Sequence, residues 1–165
     1  MKYYAGIGSR KTPYEIISVM VDIGKYLAKM GYILRSGAAD GADAAFEAGC
    51  DSVSGSKLIY LPWKGFNRSD SEFYTISEEA FELAKKYHPN WTMLRHSAEK
   101  LHARNCYQIL GEDLKTPSKF VVCWSNGSGG TEQALRIATA YNIPIINLYD
   151  PEQLKLHMEI INTVM

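Results

Sequence analysis

Residues 118–149, SKFVVCWSNGSGGTEQALRIATAYNIPIINLY, decide the fold. SKFVVCW (118–124) carries no charge after Lys119 and is rich in strand-forming side chains, which reads as a central strand covered on both faces. SNGSGG then makes a loop, TEQALRIATAYN (131–142) has a helical apolar period, and PIINLY (144–149) is a second strand. Strand, helix and strand in succession are the pattern of a parallel sheet with helices packed on it.

The same alternation runs outward to both ends. KYYAGIG (2–8) is the first strand, and a helix follows from Pro13, with a broad apolar face of Ile16, Ile17, Met20, Val21, Ile23, Tyr26, Leu27 and Met30, until Gly31 ends it. YILRS (32–36) is the second strand and residues 41–49 a short helix. KLIYLPW (57–63) is the third strand, leading into the polar loop KGFNRSDS. Helices are expected from Thr75 to Tyr87, from Ser97 to about Leu114, and from Pro151 onward with Leu154, Met158, Ile161 and Val164 facing inward. With no linker, repeat or low-complexity tract, residues 1–165 read as one domain.

Right-handed crossovers then give an α/β, Rossmann-like, doubly wound, mostly parallel five-stranded sheet in the order 3-2-1-4-5. The order reverses between strands one and four, and ligands of such sheets bind in the crevice at that reversal, beyond the carboxyl ends of the strands. Three loops meet there: Gly6–Arg10, Ser36–Gly41 and Ser125–Thr131, all rich in glycine and small hydroxylated residues.

Composition narrows the function classes. Hydrophobic residues are 46% and charged residues 22% of the chain, which excludes a disordered polyelectrolyte. Formal net charge is zero, so no global field draws the chain to nucleic acid or a membrane, and nucleic acid is an unfavoured partner. No apolar run approaches the ~18 residues of a membrane span. Three dispersed cysteines, Cys50, Cys106 and Cys123, argue against a disulfide framework and for a reducing, cytoplasmic setting. The four histidines show no zinc spacing, so neither a metal nor a resident cofactor is expected. The broad apolar face of residues 16–30 leaves room for a homo-oligomer.

Glycines before a helix let an anion approach its free N–H groups, so Ser128, Gly129, Gly130 and Thr131 form a candidate phosphate site; the alternative is a tight turn with Thr131 as its cap. Gly8, Ser9 and Arg10 stand opposite, with Arg10 able to clamp a phosphate or simply face solvent. Gly6-x-Gly8 lacks the third glycine and the acidic ribose ligand of a dinucleotide fingerprint, and no P-loop motif is present.

IGSRKTP, SGAADGADAA and GSGGTEQALRIA with IPIINL resemble the SLOG superfamily, which joins DNA-processing protein A, the LOG phosphoribohydrolases and YspA-like stand-alone domains. The resemblance covers roughly residues 3–148. Ser36-Gly37-Ala38-Ala39-Asp40-Gly41-Ala42-Asp43 is similar to the S-G-x-A-x-G-I-D stretch of the DNA-processing branch, and Leu101-His102-Ala103-Arg104-Asn105 to the M-H-x-R-K helix of the LOG branch. It implies a Rossmann-like domain that binds nucleotide-derived ligands through the glycine loops; Ser36, Gly37, Ala38 and Asp40 after strand two and Trp124 at the end of strand four are further candidates, Asp40 as a ribose partner or a helix cap and Trp124 as a stacking surface for a base or a core residue. LOG enzymes place a glutamate three residues after the loop threonine, where this chain has Ala134; the nearest carboxylate is Glu132.

Three functions stay open. The chain is a module that senses or sequesters a nucleoside monophosphate, ADP-ribose-like compound or cyclic nucleotide; or a hydrolase of the N-glycosidic bond of a nucleoside 5'-monophosphate, with Glu132 as carboxylate and Arg104 as clamp; or a single-stranded DNA binder. Asp43 reads as a first-turn acid, His102 as packing or surface, and Trp63 with Phe66 as stacking surface for a base.

Overall fold

The computed structural model describes residues 1–164. Its strands are β1 (Lys2–Gly6), β2 (Tyr32–Ser36), β3 (Lys57–Ile59), β4 (Val121–Cys123) and β5 (Ile145–Asn147). Its helices are α1 (Tyr14–Lys29), α2 (Ala42–Asp51), α3 (Glu78–Lys86), α4 (His96–Leu110), α5 (Thr131–Ala140) and α6 (Pro151–Val164), with 3-10 turns at Phe66–Arg68 and Trp91–Met93. The sheet runs β3-β2-β1-β4-β5, all parallel, as the crossover argument requires. Tyr4 opposes Leu34, and Ala5 opposes both Arg35 and Val121, which fixes the register at the centre.

Side chains of the inner strands alternate between two cores. Tyr4, Leu34, Ile59 and Val122 pack under α1, α2 and α6; Ala5, Ile7, Val121 and Cys123 pack under α3, α4 and α5. Both faces are therefore buried, the reason β4 reads as an unbroken apolar run. Cys50, Cys106 and Cys123 are buried and unpaired, and burial pushes the Cys106 and Cys123 thiols up to about 12. No helix among the described residues is long and apolar enough to cross a membrane.

Several elements are shorter than their sequence patterns. β4 is three residues because β5 pairs only with Val121–Cys123; on its other side the ladder continues, with Ala5 N–H donating to Phe120 and Ser9 N–H to Trp124. β3 stops before Leu61, whose N–H turns away to Phe73, and Pro62 has no N–H to offer a neighbour. Ser77 caps α3 through Ala80 N–H, so that helix starts after Thr75, and Gly111, at φ +80°, ends α4 before Leu114. In α6 only Ile161 is buried and Leu154 half-buried; Met158 and Val164 face solvent, because α6 touches α1 and β5 along a narrow stripe. On α1, Ile16, Met20, Ile23 and Leu27 pack in the core beside α2, while Ile17, Val21 and Tyr26 are half-buried and Met30, just after it, is exposed.

Candidate functional site

β1 sends the chain to α1 on one face of the sheet and β4 sends it to α5 on the other, so a crevice opens where the two part. It encloses about 280 Å³. Gly8 and Arg10 line it from the loop after β1, Gly130 and Thr131 from the start of α5, Arg104 and Gln108 from α4, and Phe66 from the turn after β3.

Arg104 organises the floor. It is 5% exposed, and its Nη1 donates to the carbonyls of Gly37 and Tyr60, the latter at 3.1 Å, so it ties α4 to the ends of β2 and β3. Nε donates to Asn105 Oδ1 at 3.2 Å, and the guanidinium lies 5.5 Å from the Phe66 ring centre. Burial lowers its pKa to about 10, which leaves it charged at neutral pH. A side chain at Gly37 would put Cβ 2.5 Å from Nη1 and 2.2 Å from Gln108 Nε2, so the clamp needs bare backbone there.

Asp43 faces the same floor at 4% exposure, and its Oδ2 accepts from Ala39 N–H at 3.3 Å. Burial raises its carboxyl to about 6 against the pull of Arg104. His102 sits on the wall with its ring centre 4.5 Å from that of His88, and burial lowers it to about 4, so it is neutral. Asn105 joins the two helices of the wall, its Nδ2 donating to Gly130 O at 3.5 Å and Gln133 Oε1 at 3.4 Å.

Of the residues the sequence singled out, Gly8, Arg10, Arg104, Gly130 and Thr131 line the crevice together. Ser128 and Gly129 are exposed on the rim, where Asn126 Oδ1 accepts from Ser128 N–H at 3.2 Å and from its hydroxyl at 2.8 Å. Ser9 turns its carbonyl to Thr12, accepting from the hydroxyl at 2.6 Å, and holds the first loop in shape. Ser36 is fully buried and donates to Gly6 O at 2.6 Å, a tie between strands behind the site. Ala38 accepts from Asn67 Nδ2 at 3.0 Å, Asp40 is exposed beside the opening, and Trp124 packs edge-on to Tyr149, 5.6 Å between centres. Glu132 lies outside the lining; its carboxylate accepts from the Ser125 hydroxyl, and Ser125 is itself held by Asn147. Ala134 lines the crevice in its place.

Asp43, Gln108, Asn105 and His102 are the polar lining residues that the reading of the sequence left out of the site. One signal did exist: Asp43 and Arg104 fall in the two matching stretches, and on α4 Leu101, Arg104, Asn105 and Gln108 recur at helical spacing on one face.

This is an α/β domain with a crevice at its strand-order reversal. Two solved structures share its architecture. DNA processing protein A from Helicobacter pylori, described for its single-stranded DNA binding mode, matches 99% of this chain and 80% of its own with a TM-score of 0.60 at 17% identity. The Moco carrier protein of Chlamydomonas reinhardtii matches 89% of this chain and 76% of its own with a TM-score of 0.55, also at 17% identity. The likeness is one of fold, and it is the fold that the SLOG resemblance implies. No family model matches the chain, and no curated protein matches it in sequence.

Proposed function

We propose that the chain binds a nucleotide-derived small molecule in this crevice and acts as a sensing or sequestering module. The observation that carries the reading is the facing of two anion-friendly walls, the open N-terminus of α5 at Gly130 and Thr131 against Arg10, above a polar floor. A phosphate would sit at Gly129, Gly130 and Thr131, with Gly8, Ser9 and Arg10 opposite and Arg104 below. The two neighbours of like fold are described as a carrier of a small cofactor and a binder of single-stranded DNA; zero net charge favours the small molecule here.

The test is thermal unfolding against nucleoside monophosphates, ADP-ribose and cyclic nucleotides. A ligand at a hundred times its dissociation constant adds about 2.7 kcal/mol to stability. A transition that none of them moves would refute the reading.

The hydrolase reading asks Glu132 and Arg104 to act on one sugar carbon, and the engagement of Glu132 with Ser125 weighs against it. If the chain does release base, Glu132→Gln lowers the rate by roughly 10²-fold or more, read by chromatography of the free base. Equal rates for both proteins leave the binding module.

A further inference from the structure

The turn before α5 carries a reactive amide. Asn126-Gly127 is the one Asn-Gly pair in the chain. The main-chain nitrogen that follows an asparagine can attack its side-chain carbon, and a following residue without Cβ leaves that nitrogen room to close the five-membered ring. Here the nitrogen is free. Gly127 sits at φ +93° with no atom within 4 Å of where a Cβ would stand, and its N–H donates to no backbone carbonyl among the described residues. Asn126, Gly127 and Ser128 are all exposed, so water reaches the ring once it forms.

The amide is also polarised. Asn126 Oδ1 accepts from Ser128 N–H at 3.2 Å and from the Ser128 hydroxyl at 2.8 Å, while Nδ2 is held by no protein acceptor among the described residues. Two donors on the oxygen stabilise the negative charge it takes up during attack, and the leaving nitrogen is untied. Other asparagines lack this combination. Asn67 Nδ2 donates to Ala38 O and precedes Arg68, Asn147 is tied to Ser125 through both ends of its amide, and Asn105 and Asn162 lie inside α4 and α6. Asp40-Gly41, the one Asp-Gly pair, has its glycine wedged against Ser9 and Arg10.

We propose that Asn126 is a site of self-deamidation and that the carboxylate it forms weakens anion binding at this turn; the second half rests on the phosphate reading of Gly129, Gly130 and Thr131. The Gly127 nitrogen loses its proton and bonds to Cγ, the Cγ–Nδ2 bond breaks, and Nδ2 departs with that proton as ammonia. Water then opens the succinimide at either carbonyl, giving an aspartate, or an isoaspartate whose main chain is one carbon longer. Either product sets a carboxylate beside Ser128 and Gly129, where it repels a phosphate at the start of α5.

The full-length protein is held at mildly alkaline pH for days, and the tryptic peptide 120–136 is followed by mass spectrometry with fragmentation that tells aspartate from isoaspartate. Asn126 should convert roughly 10-fold or more faster than Asn67, which is also exposed but is followed by a residue with a side chain. Ser128→Ala should slow conversion roughly 2–10-fold, the worth of one hydrogen bond to the reacting oxygen. Equal rates at Asn126 and Asn67 overturn the site, and an unchanged rate in Ser128→Ala overturns the assistance by the loop. Calorimetry with adenosine, guanosine, cytidine and uridine monophosphates reads the second half. Asn126→Asp, which carries the product charge, should bind roughly 3–10-fold more weakly than wild type at low salt. Equal affinities overturn the charge effect. A wild-type protein that binds none of the four overturns it together with the phosphate reading, while the peptide map still decides the deamidation.

Discussion

The turn from Gly37 to Gly41 and the turn from Asn126 to Gly130 reach the crevice from opposite walls, and their glycines serve opposite needs. At Gly41, φ is +81° and a Cβ would lie 2.7 Å from the Ser9 carbonyl oxygen and 2.9 Å from Arg10 Cα, so packed backbone demands glycine. At Gly129, φ is +89° with no atom within 4 Å, and at Gly130 the nearest is His102 Cε1 at 3.7 Å. The first turn is shaped by the protein against itself. The second leaves space that no protein atom claims, which is what a turn that receives a ligand must do.

Replacing Gly41 by Ala should give the largest effect. Left-handed strain of about 1–2 kcal/mol adds to overpacking of about 1–3 kcal/mol, so urea unfolding should show a loss of about 2–5 kcal/mol. A loss below about 1 kcal/mol would mean that the first turn is as free as the second.

The floor between the turns gives a pH signature. Burial raises Asp43 from 3.8 to about 6, so the folded state keeps a proton the unfolded chain releases, and stability from this group grows as pH falls from 6 toward 3.8. Burial lowers His102 from 6.5 to about 4, so the stability of its neutral form is complete above pH 6.5 and is lost as pH falls toward 4. The full excursion is about 3 kcal/mol for buried Asp43 and, after solvent screening, about 2 kcal/mol for half-buried His102. Opposite signs make the contribution of this pair nearly flat across the window. Relative to wild type, Asp43→Asn should lose stability on acidification by up to about 1.4 kcal/mol per pH unit, and His102→Gln should gain it. Urea titrations at stepped pH read both slopes, and parallel profiles for all three proteins would show that these groups do not titrate as a buried pair.

Gly130→Ala should have the smallest effect on the empty protein, under about 0.5 kcal/mol. Its Cβ would stand where a phosphate approaches the α5 N–H groups, so affinity for a bound monophosphate should fall about 10-fold or more, measured by calorimetry. Unchanged affinity would move the phosphate away from the second turn.

Strand order and the location of the crevice were legible in the sequence because both follow from alternation and handedness, which local patterns carry. That Gly8, Arg10 and Gly130 line the crevice was legible for the same reason, since glycine-rich turns between strand and helix have a local meaning. The floor was not. Asp43 looks like any first-turn acid and Gln108 like any polar residue on an amphipathic helix; only tertiary packing buries one under α4 and leaves the other without a partner. That Glu132 stands apart from the lining was not legible either, because the Ser125 hydroxyl that holds it comes from the preceding loop, and that contact depends on how the loop closes.

The three cysteines have a practical consequence. With Cys50, Cys106 and Cys123 all buried and two of the thiols raised to about 12, the folded chain should be nearly silent toward alkylating reagents at neutral pH. A single thiol placed on the exposed rim, Ser128→Cys, would then take a fluorophore at one known position without removal of any native residue. The native chain is in effect a blank background for optical labelling, and a dye beside the second turn would report occupancy of the crevice as a change in brightness.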